Sequence, residues 1–203
     1  HTDAVQGFLK EPFSAKTLGA DMISVSGHKV HAPKGIGALY VRQGLKLPAH
    51  ILGGGQEEGM RSGTEPMPQI AAFGEAVRIA KAEMPEANAR MEALRAQCVQ
   101  TLTETVPGIV FLGGGSAHIL SLSLPGYRSE VLMNYLEAKG IYVSKSSACK
   151  RGRRSHVLAA IGAPDKVIDG ALRVSFSRYT TAEDCAAFCD ALAAARRELY
   201  PSL

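Results

Sequence analysis

Apolar positions along this chain switch between a two-residue and a 3.6-residue period, and the switches mark its elements. Met22, Ile23 and Val25 form a short run that stops at Ser26-Gly27, which predicts a strand delivering its end into a polar site. Gly37–Val41 predicts a second, strongly apolar strand. Ile70, Phe73, Val77 and Ala80 repeat at helical spacing. Pro85 predicts an interruption there, and Ala87, Met91, Leu94, Cys98 and Leu102 predict a second helix with one apolar stripe. Leu120, Leu122 and Leu124 alternate with Ser121 and Ser123, the pattern of a strand with one buried face. A helix opened by Ser129 and running through Leu136 closes at Gly140, and residues 141–143 predict a short strand. Ser155 predicts the cap of a short helix carrying Val157, Leu158 and Ile161. Leu172, Val174 and Phe176 alternate with Arg173 and Ser175, which turns Arg173 away from the core side. Thr181 and Asp184 predict a capping box for a terminal helix whose stripe is Cys185, Phe188, Leu192 and Leu199. Strands separated by helices predict a layered α/β fold, with a domain boundary at Pro85 that separates residues 1–84 from 85–203.

Composition narrows the function classes. The 203 residues are 46% hydrophobic and 21% charged, ample for a sizeable core, and no apolar run approaches a membrane span or a signal peptide. The net charge of +4 is mild and much of it sits between Lys145 and Arg154, a local feature and not a general nucleic-acid surface. Four cysteines without a Cys-x-x-Cys pair make neither a disulfide framework nor a zinc site, so no metal is expected and the cytoplasm is the expected compartment. Cys98, Cys185 and Cys189 fall on apolar helical stripes and read as small hydrophobes. The chain starts at His1 in what reads as the end of a strand, so the upstream part of a longer protein is expected to be absent.

Three stretches carry candidate chemistry. At the end of the Met22 strand, Ser26, His28 and Lys29 place a hydroxyl, an imidazole and an amine within four residues. A lysine desolvated there is a nucleophile toward carbonyls, and Gly35 and Gly37 let backbone approach whatever it holds. The plainer reading is a polar turn with Lys29 in solvent. Asp3 and Gln6 put a carboxylate and an amide on one side of a turn, either to hold a protonated ring nitrogen or to cap a helix. Residues 53–64, rich in glycine with Arg61 and Thr64, read either as a phosphate cradle or as a surface loop. In residues 144–154, Cys149 sits among Lys145, Lys150, Arg151, Arg153 and Arg154. Such positive charge favours the thiolate, and the small polar loop reads as an exposed arm able to carry a thiol between a site and a partner. An incidental surface cysteine is the alternative.

Taken together, HTDAVQ, SVSGHK, APKGIGALYVR, GGGQEEGMRSGT, SSAC and LRVSFSRYTT, in that order, resemble a cysteine desulfurase of the class V aminotransferase family, dependent on pyridoxal phosphate (PLP). The resemblance runs from His1 to the terminal helix. It implies the PLP-dependent fold type I, with residues 1–84 ending the mostly parallel sheet of the large domain and residues 85–203 forming a small α/β domain. It implies that Lys29 holds PLP covalently, that Asp3 pairs with the pyridine nitrogen, and that Gln6 meets the ring hydroxyl. Ser26 and His28 would bind the phosphate. Thr64 would reach the site of a neighbouring subunit, making a homodimer obligatory. Arg173 would clamp the carboxylate of L-cysteine, and Cys149 would take its sulfur as a persulfide for a sulfur-acceptor protein, a cluster scaffold or a tRNA-thiolation enzyme. Neither a membrane nor a nucleic acid is an expected direct partner. The run after Cys149 is shorter and more basic than the usual Ser/Gly-rich version, which bears on reach and acceptor choice. The family's upstream half, absent here, would supply the residue stacking on the ring and a glycine-threonine phosphate loop. A selenocysteine lyase, another class V enzyme, or an inactive fragment acting only as a binding module are the other readings.

Overall fold

In the computed structural model, residues 1–145 and 155–201 are described. They divide into two units, His1–Pro85 and Glu86–Leu203. The first unit is built on a three-stranded sheet of β1 (Thr2–Asp3), β2 (Met22–Ser26) and β3 (Gly37–Val41), in that order. β1 runs parallel to β2 with Asp3 opposite Ser24, and β3 runs antiparallel with Gly37 opposite Ser26. That last pairing requires glycine, because a Cβ on Gly37 would stand 2.6 Å from the Val25 carbonyl oxygen. Between β1 and β2 lies α1 (Ala15–Leu18), started by a Ser14–Thr17 capping box and stopped by left-handed Gly19. Four residues are too few to show a period in the sequence. Ile23 and Val30 are buried, and Phe8 meets Phe73 edge-on with ring centroids 6.5 Å apart. β3 forms where expected, yet Leu39 and Tyr40 are 52% and 44% exposed.

Phe73 belongs to α2 (Met67–Thr105), which corrects the expected break: Pro85 lies inside one 39-residue helix. Proline costs an interior helix about 3 kcal/mol. Here the apolar stripe resumes on its far side, and burial of Met91, Leu94, Cys98 and Leu102 outweighs that cost.

The second unit holds an antiparallel sheet in the order β4 (Val110–Leu112), β5 (Ile119–Ser123), β6 (Ala171–Ser175). Around it lie α3 (Ser129–Glu137), α4 (His156–Ala160), α5 (Asp165–Asp169) and α6 (Ala182–Glu198). Leu102, Leu122, Leu132, Leu136, Leu172 and Leu192 form the centre of its core. The capping box at Thr181 and Asp184 is present. Three expectations change. Residues 141–143 are not a strand; pairing is confined to Ser144, bridged to Arg173. Of the three apolar side chains assigned to the Ser155 helix, Leu158 is buried while Val157 and Ile161 are exposed. Ser123 is not on a wet face: it is fully buried and donates to the Val167 carbonyl at 2.7 Å, covered by α5. Among the described residues no helix is long and apolar enough to cross a membrane.

Candidate active site

Lys29 stands in a single 3₁₀ turn, Gly27–Val30, that leaves the end of β2 directly. The turn is pinned at both ends. The Gly27 N–H donates to the Ile36 carbonyl at 2.9 Å, and a Cβ on Gly27 would meet Ile36 Cγ2 at 2.7 Å. At the other end Val30 is buried, and His31 takes a left-handed conformation (φ 67°) to donate its N–H to the Gly27 carbonyl. Lys29 is thereby half-buried in a turn whose end residues, Gly27 and Val30, are buried, while His28 is exposed. Ser26 Oγ and His28 Nδ1 share a hydrogen bond of 2.8 Å, which joins a hydroxyl and an imidazole in the stretch that carries Lys29.

Asp3 ends β1 as Ser26 ends β2, and the two strands are parallel, so both residues lie at the carboxyl end of the sheet, where α/β proteins build ligand sites. Asp3 is not a helix cap: its Oδ1 accepts the Val5 N–H at 3.0 Å and thereby shapes the turn that carries exposed Gln6. A neighbouring pair that sequence pattern missed, His1 Nε2 and Ser24 Oγ at 2.7 Å, crosses the two strands at the same level. The residues of this end fit a phosphorylated pyridine aldehyde by their chemistry: a carboxylate for a ring cation, hydroxyl and imidazole donors for a phosphate, and an amine for the carbonyl.

The glycine loop holds itself in shape. Ile51 bridges Arg61, Gln56 Oε1 accepts the Gly63 N–H at 3.2 Å, and Ser62 is buried. Arg61 turns one guanidinium N–H back onto the Ser62 carbonyl at 2.7 Å. Glu57 and Glu58 both adopt left-handed backbone (φ 51° and 55°), an uncommon pair for non-glycine residues. Thr64, the last residue of this loop, is exposed.

Arg173 belongs to the second unit, on β6, half-buried. Its backbone N–H and carbonyl are both taken by Ser144, and its Nε is buried with no hydrogen-bond partner among the described residues. A guanidinium N–H left that way suits a carboxylate ligand. Lys145, expected to add to the charge around Cys149, instead gives its ammonium to Glu130 in an ion pair, and the hydrogen bond from Lys145 holds the Glu130 carboxyl below the usual carboxylate range. No sequence pattern joins Glu130 to Lys145 or Ser144 to Arg173, since the segments meet only in the folded unit. Cys149 itself lies outside the described residues. The other three thiols are buried as expected. Burial pushes the Cys185 thiol up to about 12, and hydrogen bonding to Cys189 followed by burial pushes Cys98 up as well, so neither is a ready thiolate.

Comparison with known proteins bears on the whole of this arrangement. The Aminotransferase class-V family matches residues 1–188. The chain is 40% identical over 186 residues to cysteine desulfurase 2 of Trichormus variabilis, covering 89% of this chain and 46% of that protein. It is 43% identical over 192 residues to the cysteine desulfurase IscS of Tolumonas auensis, with 91% and 46% covered. Among solved structures, a NifS-like protein superposes with a TM-score of 0.87 at 38% identity over 97% of this chain and 52% of that one. A NifS-like protein from Rickettsia africae gives 0.85 at 29% identity, with 94% and 51% covered. The fold is the mixed α/β arrangement of these fold type I proteins, and the chain spans about half the length of the relatives it matches.

Proposed function

The chain belongs to the class V aminotransferase family, and from that premise we propose that it is the part of a cysteine desulfurase bearing both the lysine and the cysteine of the reaction. Its main support is the carboxyl end of the first sheet, where Ser26, His28 and Lys29 follow β2 beside Asp3 on parallel β1. The division of the chain at Pro85 supports taking residues 1–84 as the end of the PLP-binding domain and 85–203 as the small domain. In this reading Lys29 holds PLP, Asp3 meets its ring nitrogen, Gln6 its ring hydroxyl, and Ser26 with His28 its phosphate. PLP, when bound, supplies an electron sink that acidifies the α-proton of L-cysteine and loosens its Cβ–S bond. The Lys29 amine takes the α-proton and returns a proton to carbon. Arg173 holds the substrate carboxylate, for which its Nε, without a hydrogen-bond partner among the described residues, is available. The Cys149 sulfur attacks the substrate sulfur as the Cβ–S bond breaks. Cysteine and one protein thiol thus become alanine and one protein persulfide, with atoms balanced, and the persulfide sulfur passes to an acceptor protein. Thr64 serves the site of a second subunit in a homodimer.

Alanine release from L-cysteine by this chain, expressed together with the upstream half of a relative and loaded with PLP, tests the assignment. Lys29→Ala and Cys149→Ser each abolish turnover, while Arg173→Ala raises KM by about tenfold or more, the loss of a charge-assisted hydrogen bond. Turnover surviving in Cys149→Ser rejects the desulfurase role of this thiol.

A further inference from the structure

A second candidate site lies in the second unit, on residues that the reaction above does not use. Beyond the end of the β4–β5 ladder the chain reads Gly113-Gly114-Gly115-Ser116. Gly113 (φ 67°) and Gly115 (φ 97°) have positive φ, and Gly114 between them does not. Glycine takes both positive-φ positions without strain, and the backbone N–H groups of such a glycine turn are free to meet an anion. These three N–H groups donate to no backbone carbonyl among the described residues.

A cleft of about 370 Å³ opens beside this loop. Arg95 of α2 lines it together with Gly113 and Gly114, and no lining residue is acidic. Arg95 is half-buried and makes no ion pair among the described residues. A guanidinium partly withdrawn from water without a carboxylate beside it favours an anionic ligand, and its planar fork suits an oxyanion. The remaining wall is mostly apolar, with Val99, one helical turn from Arg95, and Phe111 and Ile119 from the two strands, and Ser116 and Ser121 add two hydroxyls. Its volume is that of a small-molecule site, with apolar walls and a few polar groups that fix orientation.

We propose that this cleft binds a small organic oxyanion, a phosphate or carboxylate head held by the Gly113 and Gly114 amides and Arg95, with an apolar body against Val99, Phe111 and Ile119. The residues that line the cleft include none assigned to the reaction above, so the proposal holds whatever reaction the chain serves.

Titration of the ¹⁵N-labelled full chain with phenyl phosphate, phenylacetate and inorganic phosphate tests it. At least one of the two phenyl ligands is expected to move the amide signals of Gly113 and Gly114 to saturation, and comparison of the two tells which head group the site takes. Inorganic phosphate, lacking the apolar body, binds about tenfold more weakly or worse. Arg95→Gln, with an unchanged far-UV spectrum, weakens phenyl-ligand binding by about tenfold or more, and Arg95→Lys restores part of it. Glycine amides that fail to saturate with either phenyl ligand, or equal affinity in Arg95→Gln, would overturn the proposal.

Discussion

At the scale of single residues, the ion pair between Glu130 and Lys145 makes a pH-dependent contribution whose sign is fixed. Its carboxyl is depressed by the Lys145 hydrogen bond, so the folded chain gains stability above the ordinary carboxylate pKa and loses it as pH falls through the depressed one. Glu130→Gln is therefore less stable than the parent at pH 7, by at most about 1 kcal/mol because the carboxylate stays in contact with solvent. In acid below the depressed pKa the two converge. Urea midpoints at both pH values measure this, and a difference that persists in acid assigns the loss to packing. Residues tied to a strand end were legible from sequence, because Ser26, His28 and Lys29 sit where an apolar run stops. The Asp3 carboxylate is legible as a polar group but not as the acceptor of the Val5 N–H, and sequence places Lys145 beside Cys149 because its partner Glu130 lies fifteen residues away on α3.

At the scale of elements, what carried through from sequence was periodicity over enough residues to see it. The stripe Met91, Leu94, Cys98, Leu102, with Leu120 and Leu122 of β5 and Leu172 of β6, is buried as expected. β4, α1 and α5 have three, four and five residues and show no period, and the proline signal at Pro85 lost to the packing of the helix on its far side. The register of β2 and β3 sets how the Lys29 turn leaves the sheet, and it depends on Gly37. Gly37→Ala puts a methyl 2.6 Å from the Val25 carbonyl oxygen, a backbone atom that cannot rotate away. The expected cost is about 1–3 kcal/mol, read as a lower thermal midpoint of the first unit. An unchanged midpoint would mean that the β2–β3 pairing tolerates a wider spacing.

At the scale of the whole molecule, the chain carries two units of different finish. The second encloses a leucine-rich core, whereas the first exposes Leu39 and Tyr40 on its sheet and Leu52 and Met67 nearby in sequence. The polar end of that first sheet is nevertheless built from short-range constraints: the Gly27 and His31 bonds, buried Val30, and the parallel pairing of Asp3 with Ser24. Those constraints lie within 41 residues of the start of the chain, so the lysine turn is expected to keep its shape in this chain by itself. Adding PLP to the full 203-residue chain, reducing with borohydride and mapping the modified peptides tests this most directly. The account predicts an adduct concentrated on Lys29 and lost in Lys29→Ala. Adducts spread over the exposed lysines, or none on Lys29, would contradict it.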